Sequence, residues 1–274
     1  MGARRHPPGR VDRAAHGQHF LRSDRVAAEL VDQARIRRGD LVLEIGAGTG
    51  RLTQAAVARG AVVIAVELDI DLVERLRRRF RGLERITVVH ADALELPLPL
   101  QPYRVFGSVP FGIGTTLLRR LLGPGGALVR ADLIVQYEVA RKRASVFPGT
   151  MLGTSWAPWW EFRLVRRLSP SAFDPPPAVD AGMLAVVPRD PPLLPPREQR
   201  EFVRLVRAGF EGSSQALSRS LAPRVTPGAW RRFCRERALR PDVRPRDLDV
   251  HDWVALFGML KHRRPTYPTR GTGV

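Results

Sequence analysis

The chain has 274 residues, 44% of them hydrophobic, and carries 45 basic against 27 acidic side chains for a net charge of +18. That length and apolar content exclude global disorder and allow one large domain with a smaller one. The charge excess points to a polyanionic partner, nucleic acid before an acidic membrane surface, because no long apolar run or lipidation signal accompanies it.

The single cysteine, Cys234, excludes an intrachain disulfide and a cysteine-built metal site, and fits a reducing cytoplasm. Residues 1–17 are basic, with Gly and Pro, and read as a flexible arm; no apolar stretch succeeds their charges, so no secretory signal is expected. Gln18-His19-Phe20-Leu21 precedes a helix expected from Ser23 to about Ala34, with Ser23 or Asp24 as its cap. Gly39-Asp40 then turns the chain into a first strand, and the stretch Leu41 to Gly50, LVLEIGAGTG, organises the domain built on it. A short buried strand running into Gly46, Gly48 and Gly50 and then into a helix opens a nucleotide-type α/β domain. The dinucleotide fingerprint would need its third glycine at Arg51, and no Gly-Lys-Ser/Thr comes after it, so the spacing is E-x-G-x-G-x-G with Glu44 in front.

A helix is expected over Leu52–Arg59, a second strand in the stretch AVVIAVELD that ends at Glu67, and a helix over Leu72–Phe80, whose arginines at 75, 77, 78 and 79 read as a solvated face. Further strands are expected over Ile86–His90, Arg104–Val109 and Ala131–Gln136, with helical stretches between them. This alternation predicts an open, mostly parallel sheet with the carboxyl ends of its first four strands along one edge. Two antiparallel strands are expected at Trp156–Val165 and Met183–Val187, separated by Phe173-Asp174-Pro175-Pro176-Pro177. A catalytic domain over 18–194 would then give way, after Pro195-Pro196, to a helical domain over 195–262 with helices at Glu198–Phe210, Ser214–Leu221, Pro227–Arg237 and Val250–His262. From Pro195 onward there are 17 basic and 8 acidic residues, half of the charge excess in under a third of the length, which suits contact with an RNA backbone. Residues 263–274 read as a disordered tail.

Three positions at strand ends can carry chemistry. Glu67 ends the second strand about 20 residues after the glycines, where a carboxylate can accept both ribose hydroxyls of a nucleoside; a plain charged strand end is the alternative. Asp92, in HADALEL, can accept from an exocyclic adenine amine or serve as a turn aspartate. In Ser108-Val109-Pro110-Phe111, the Ser108 oxygen and the Val109 carbonyl could accept the two N–H groups of an adenine amine. Drawing that nitrogen toward sp³ frees its lone pair for methyl transfer, while Phe111 stacks on the base and Pro110 fixes the turn.

With these residues in place the chain resembles the rRNA adenine-N6 methyltransferases, and most of all the Erm type that confers macrolide, lincosamide and streptogramin B resistance. The resemblance runs from Gly17 to about Leu260 and is carried by Gly17 to Leu21, Glu44 to Gly50, Glu67, Asp92, Ser108 to Phe111 and the FDPPPAV stretch from Phe173 to Val179. It implies a Rossmann-like sheet that binds S-adenosylmethionine (SAM), with a small all-helical C-terminal domain. It implies a cofactor site of Gln18, His19, Leu21, Gly46, Gly48, Glu67, Leu68, Asp92, Ala93 and Ser108, and a target adenine held by Ser108, Val109, Pro110 and Phe111 with Phe173 on its other face. Arg141, Lys142 and Arg143 come after the fifth strand on the side where the family contacts RNA; an exposed basic helix start is the alternative. The implied partner is 23S rRNA in its domain V region, acted on by a cytoplasmic monomer with neither metal nor membrane. Two positions depart from the family: Ser108 stands where Asn is usual, and Gln18-His19 where Gln-Asn is common.

Two rivals share these motifs. One is a small-subunit rRNA adenine dimethylase used in ribosome assembly. The other is a non-catalytic RNA-binding factor on the same fold, a reading that Ser108 invites.

Overall fold

The computed structural model describes residues 19–110, 112–123, 125–145, 149–211, 216–222 and 224–261. The described chain forms two compact units. One takes residues up to Ala144 and Phe162–Val187, and the other takes Ser145–Glu161 and Pro188 onward.

In the first unit, β1 (Phe20–Leu21) leads into α1 (Asp24–Gln33), whose N-cap Ser23 accepts the Val26 amide. Next come β2 (Leu41–Ile45), α2 (Arg51–Ala58), β3 (Val62–Glu67), α3 (Ile70–Arg79), β4 (Ile86–His90), β5 (Tyr103–Ser108), α4 (Gly114–Leu121), β6 (Leu128–Gln136) and α5 (Tyr137–Arg143). After α6 (Met151–Trp156) the chain returns through β7 (Trp160–Leu168), β8 (Phe173–Asp174) and β9 (Ala181–Pro188). The sheet order is β4-β3-β2-β5-β6-β9-β7. The pairs from β4 through β6 are parallel, and β9 runs antiparallel to β6 with Ala131 opposite Val186. The central strands are near-continuous apolar runs because helices cover both faces, as in β2, where Val42, Leu43, Glu44 and Ile45 are all buried. The strand order reverses between β2 and β5, which makes the carboxyl ends of these two strands the switch point where a ligand crevice forms.

Several expectations are corrected. The connection from β4 to β5 holds no helix, because Pro97, Pro99 and Pro102 cannot supply the amides one would need. The strand expected from Trp156 begins at Trp160. Thr150 caps a helix by accepting the Gly153 amide, that helix runs through Trp156, and Pro158 stops it; Trp156 is thus helical, and Trp159 belongs to a helical core. The arginine-bearing helix starts at Ile70, two residues early, under an Asp69 N-cap. Its arginines are exposed, as a solvated face requires, and Arg79 also donates to the Thr49 carbonyl at 2.6 Å and to Gln54.

The second unit is helical: α6 joins α7 (Gln199–Phe210), α8 (Leu217–Ser220), α9 (Pro227–Glu236) and α10 (Val250–Lys261). The described part of the segment expected as Ser214–Leu221 is thus the single turn α8. Its core is aromatic. Phe202 packs edge-to-face on Trp159 and on Phe257, with ring centroids 5.6 Å apart in both pairs, and Trp253 is fully buried. Rings of this size supply most of the burial energy in so small a unit, about 1.5–3 kcal/mol each. The expected arm over 1–17 and tail over 263–274 lie outside the described residues.

Candidate active site

A cavity of about 450 Å³ opens at the switch point of the first unit, a size suited to a nucleoside-bearing cofactor. On one side it is lined by Gly46 and Gly48 after β2 and by Glu67, Leu68, Asp69 and Ile70 after β3. On the other it is lined by Ser108, Val109 and Pro110 after β5 and by Ile134 of β6. His19, Phe20, Phe173, Pro177 and Ala181 complete the wall.

The glycine turn leaves bare backbone at its centre. Gly46 sits at φ +70°, and a Cβ there would come within 2.6 Å of the Ser108 carbonyl oxygen. Gly48, at φ +55°, is crossed by the Phe20 ring, 2.8 Å from where its Cβ would be. Glu67 is 8% exposed, and its carboxylate gathers backbone amides. One oxygen accepts the Gly48 N–H at 2.8 Å; the other accepts those of Leu68 at 2.9 Å and Asp69 at 3.1 Å. The carboxylate thus sets the glycine loop and the start of α3 while presenting charge to the cavity. Beside it Leu68 and Ile70 are unusually exposed for their type, at 65% and 48%, and offer an apolar platform.

Glu44 lies beneath the loop with 1% exposure. Thr53 donates its hydroxyl to one carboxyl oxygen at 2.6 Å, and the other has no hydrogen-bond partner among the described residues. Burial pushes this carboxyl up to about 8, the Glu67 charge adds a smaller push, and the Thr53 hydroxyl opposes both. The folded protein therefore keeps a proton that the unfolded chain gives up near pH 4.5, and stability falls as pH rises from there to about 8. Glu44→Gln removes that dependence. Its melting temperature is expected to match the wild type near pH 5 and to exceed it near pH 8.5 by on the order of 5 °C; equal melting curves at both pH values would contradict the protonated state.

The remaining expected residues fall in several places. His19 Nδ1–H donates to the Pro175 carbonyl at 2.8 Å, and β1 pairs antiparallel with β8, with Leu21 opposite Phe173. Leu21 is buried within this ribbon and does not line the cavity, whereas Phe173 does so while only 2% exposed. Val109 donates its N–H to the Ile134 carbonyl at 3.0 Å, and the Pro110 carbonyl accepts from Ile113 at 3.1 Å. Asp92 and Ala93 do not line the cavity; their loop is held to β3 by the Ala91 amide on the Glu67 carbonyl at 3.1 Å. Arg141 pairs with Glu138 at 2.7 Å, Lys142 is exposed, and Arg143 is half-buried and donates to Thr115 at 3.2 Å. Burial, with Arg119 nearby, pushes the Arg143 guanidinium down. The trio is therefore not one uniform patch. Gln18 and Phe111 lie outside the described residues.

Sequence reasoning missed Phe20, Asp69, Ile70, Ile134, Pro177 and Ala181 as wall residues. Phe20 stands inside the expected motif and Ile134 near a strand end, so both carry a signal; Ala181 joins the wall as the first residue of β9, opposite Gln136 of β6, and Pro177 from the segment between β8 and β9, pairings that the sequence does not announce. Among the described residues no group of three or more His, Cys, Asp or Glu side chains could hold a metal ion, and no helix is long and apolar enough to cross a membrane.

Comparison with known proteins places this geometry. The chain is 40% identical over 268 residues to the mycinamicin-resistance protein MyrB of Micromonospora griseorubida, covering 94% of this chain and 84% of that one. It is 35% identical over 265 residues to ribosomal RNA small subunit methyltransferase A of a Synechococcus strain, covering 92% and 94%. The crystal structure of the 23S rRNA methyltransferase ErmE superposes with a TM-score of 0.80 at 27% identity, over 88% of this chain and 99% of that one. The family model described as ribosomal RNA adenine dimethylase matches residues 10–262, so the chain belongs to the ribosomal RNA adenine dimethylase family.

Proposed function

We infer that the chain is a SAM-dependent methyltransferase that modifies N6 of one adenine in 23S rRNA and thereby confers macrolide, lincosamide and streptogramin B resistance. The observation that carries this reading is the single cavity shared by Glu67 and the Ser108-Val109-Pro110 turn, in a chain of this family. The resistance protein among its relatives and the 23S rRNA methyltransferase of similar fold support the choice of RNA. The relative described as a small-subunit methyltransferase keeps assembly-type dimethylation as the second reading.

The residues fit SAM. Gly46 and Gly48 leave room for the cofactor against bare backbone, and Glu67 is the carboxylate that would accept the ribose hydroxyls. Asp92 and Ala93 would meet the adenine, with Leu68 and Ile70 against its face. His19, on the cavity wall next to β1, would close over the cofactor, a role the resemblance shares with Gln18. When bound, SAM supplies an electrophilic methyl group on a sulfonium with a good leaving group. The protein then has to orient the acceptor amine. The Ser108 hydroxyl and Val109 carbonyl would accept its N–H groups, Pro110 would hold the turn rigid, and Phe111 and Phe173 would flank the base. Positioning and charge placement supply the acceleration, so no strong base is needed. The basic unit from Pro188 onward, together with Arg141, Lys142 and Arg143, would contact the phosphates of domain V. The enzyme would act as a cytoplasmic monomer, with catalytic domain 18–194 and RNA-binding domain 195–262.

Expression in a macrolide-sensitive bacterium tests the reading. The inhibitory concentration of erythromycin is expected to rise by more than tenfold, and a Ser108→Ala variant, which removes the accepting hydroxyl and keeps the strand backbone, is expected to lose most of that protection. No protection from the soluble wild-type protein would favour the small-subunit reading.

A further inference from the structure

The loop after β4 that carries Asp92 and Ala93 is short of donors for its own carbonyls. Asp92 turns it: its side chain accepts the Leu94 amide at 2.7 Å, and its carbonyl accepts the Glu95 and Leu96 amides at 3.0 Å each. Pro97 and Pro99, further along, have no N–H to give. The carbonyls of Ala93, Leu94 and Leu96 are met instead by one side chain. Arg120, in the last turn of α4, donates Nη1–H to the Leu94 carbonyl and, at 3.4 Å, to that of Ala93, and donates Nη2–H to the Leu96 carbonyl. A planar, permanently charged fork can hold several oxygens in fixed relation, where an ammonium would act as a point charge. Arg120 is half-buried, so these bonds are partly shielded from water. The helix that carries it begins at Gly114, six residues beyond Ser108, and so ties the loop to the element that comes after the Ser108-Val109-Pro110 turn.

We propose that Arg120 is a positioning residue of the cofactor site, holding the Asp92 loop in the one conformation in which Asp92 and Ala93 read the adenine of SAM. The proposal rests on the SAM reading given above. It predicts an effect confined to the adenine end of the ligand, which a general loss of stability would not produce.

Calorimetric binding of S-adenosylhomocysteine and S-inosylhomocysteine separates these cases, since the second replaces the adenine amine by a carbonyl oxygen. The wild type is expected to prefer the adenosyl form. Arg120→Ala is expected to weaken that form about tenfold, the worth of a hydrogen bond to a charged group, while changing the inosyl form little. Arg120→Lys, which keeps the charge and tests the site if the alanine variant does not fold, is expected to narrow the preference about threefold. Equal weakening of both ligands, or an unchanged preference in the folded lysine variant, would overturn the role of Arg120 and leave the SAM reading standing. Failure of the wild type to bind either ligand would overturn the SAM reading and this proposal with it.

Discussion

Gly46→Ala is expected to lower kcat/KM for methyl transfer by on the order of a hundredfold or more, by weakening the cofactor site and displacing the transfer turn together. The new Cβ would stand 2.6 Å from the Ser108 carbonyl oxygen, at a backbone φ of +70° that an alanine resists. Neither neighbour can yield cheaply. Gly46 and Ala47 both donate their amides to the Val66 carbonyl, at 3.0 and 3.1 Å, and Val109, the next residue after Ser108, is bonded to Ile134. The clash must therefore push β2 and β5 apart at their carboxyl ends, where both halves of the site are built. Parallel measurement of S-adenosylhomocysteine affinity and of the rate at saturating SAM would show both falling. Wild-type values for the two would contradict the close approach.

The second large effect is expected at Glu67. Glu67→Ala removes the acceptor for the amides of Gly48, Leu68 and Asp69 and takes the carboxylate from the cavity. Charge-assisted hydrogen bonds are worth about 1.5–3 kcal/mol each, so SAM affinity is expected to fall by on the order of a hundredfold. Glu67→Gln should recover little. One face of its amide would offer N–H groups to backbone donors that need an acceptor, so a tenfold or greater loss is expected there too. An alanine variant that keeps wild-type cofactor affinity would remove Glu67 from the site.

These two positions are legible in the sequence because a strand end is a local event. The apolar residues around Glu44 and a glycine run announce β2, and an unbroken apolar run before Glu67 announces β3, so the residues just beyond them must reach the carboxyl edge of a parallel sheet. The same logic places Ser108, Val109 and Pro110. The ribbon of β1 and β8 is not legible: each strand has two residues, and their partners are more than 150 positions apart. No periodicity signals so short a pair, although it brings His19, Phe20 and Phe173 to the cavity. The aromatic stretch near Trp156 suggests a strand because tryptophan favours strands in general, while Thr150 and Pro158 set a helix there by capping and termination. Arg120 carries no motif at all. Its role comes from carbonyls that Pro97 and Pro99 leave without amides, a need visible only once α4 is packed beside the loop.

Ser108 is one of the two places where the chain departs from the residue its resemblance leads one to expect, and the one where the chemistry is most exposed to test. A hydroxyl is shorter than the expected amide and donates as well as accepts. Val109 is fixed by Ile134 and Pro110 by Ile113, so Ser108 is held at the cavity wall.

The most direct measurement is methyl transfer from labelled SAM to a 23S rRNA transcript and, in parallel, to a 16S transcript, with modified positions mapped by mass spectrometry. Label is expected on a single adenine of the 23S transcript, at N6, and lost in Gly46→Ala. Label confined to the 16S transcript, or RNA binding without transfer to either, would contradict the assignment of this chain as a 23S rRNA adenine-N6 methyltransferase.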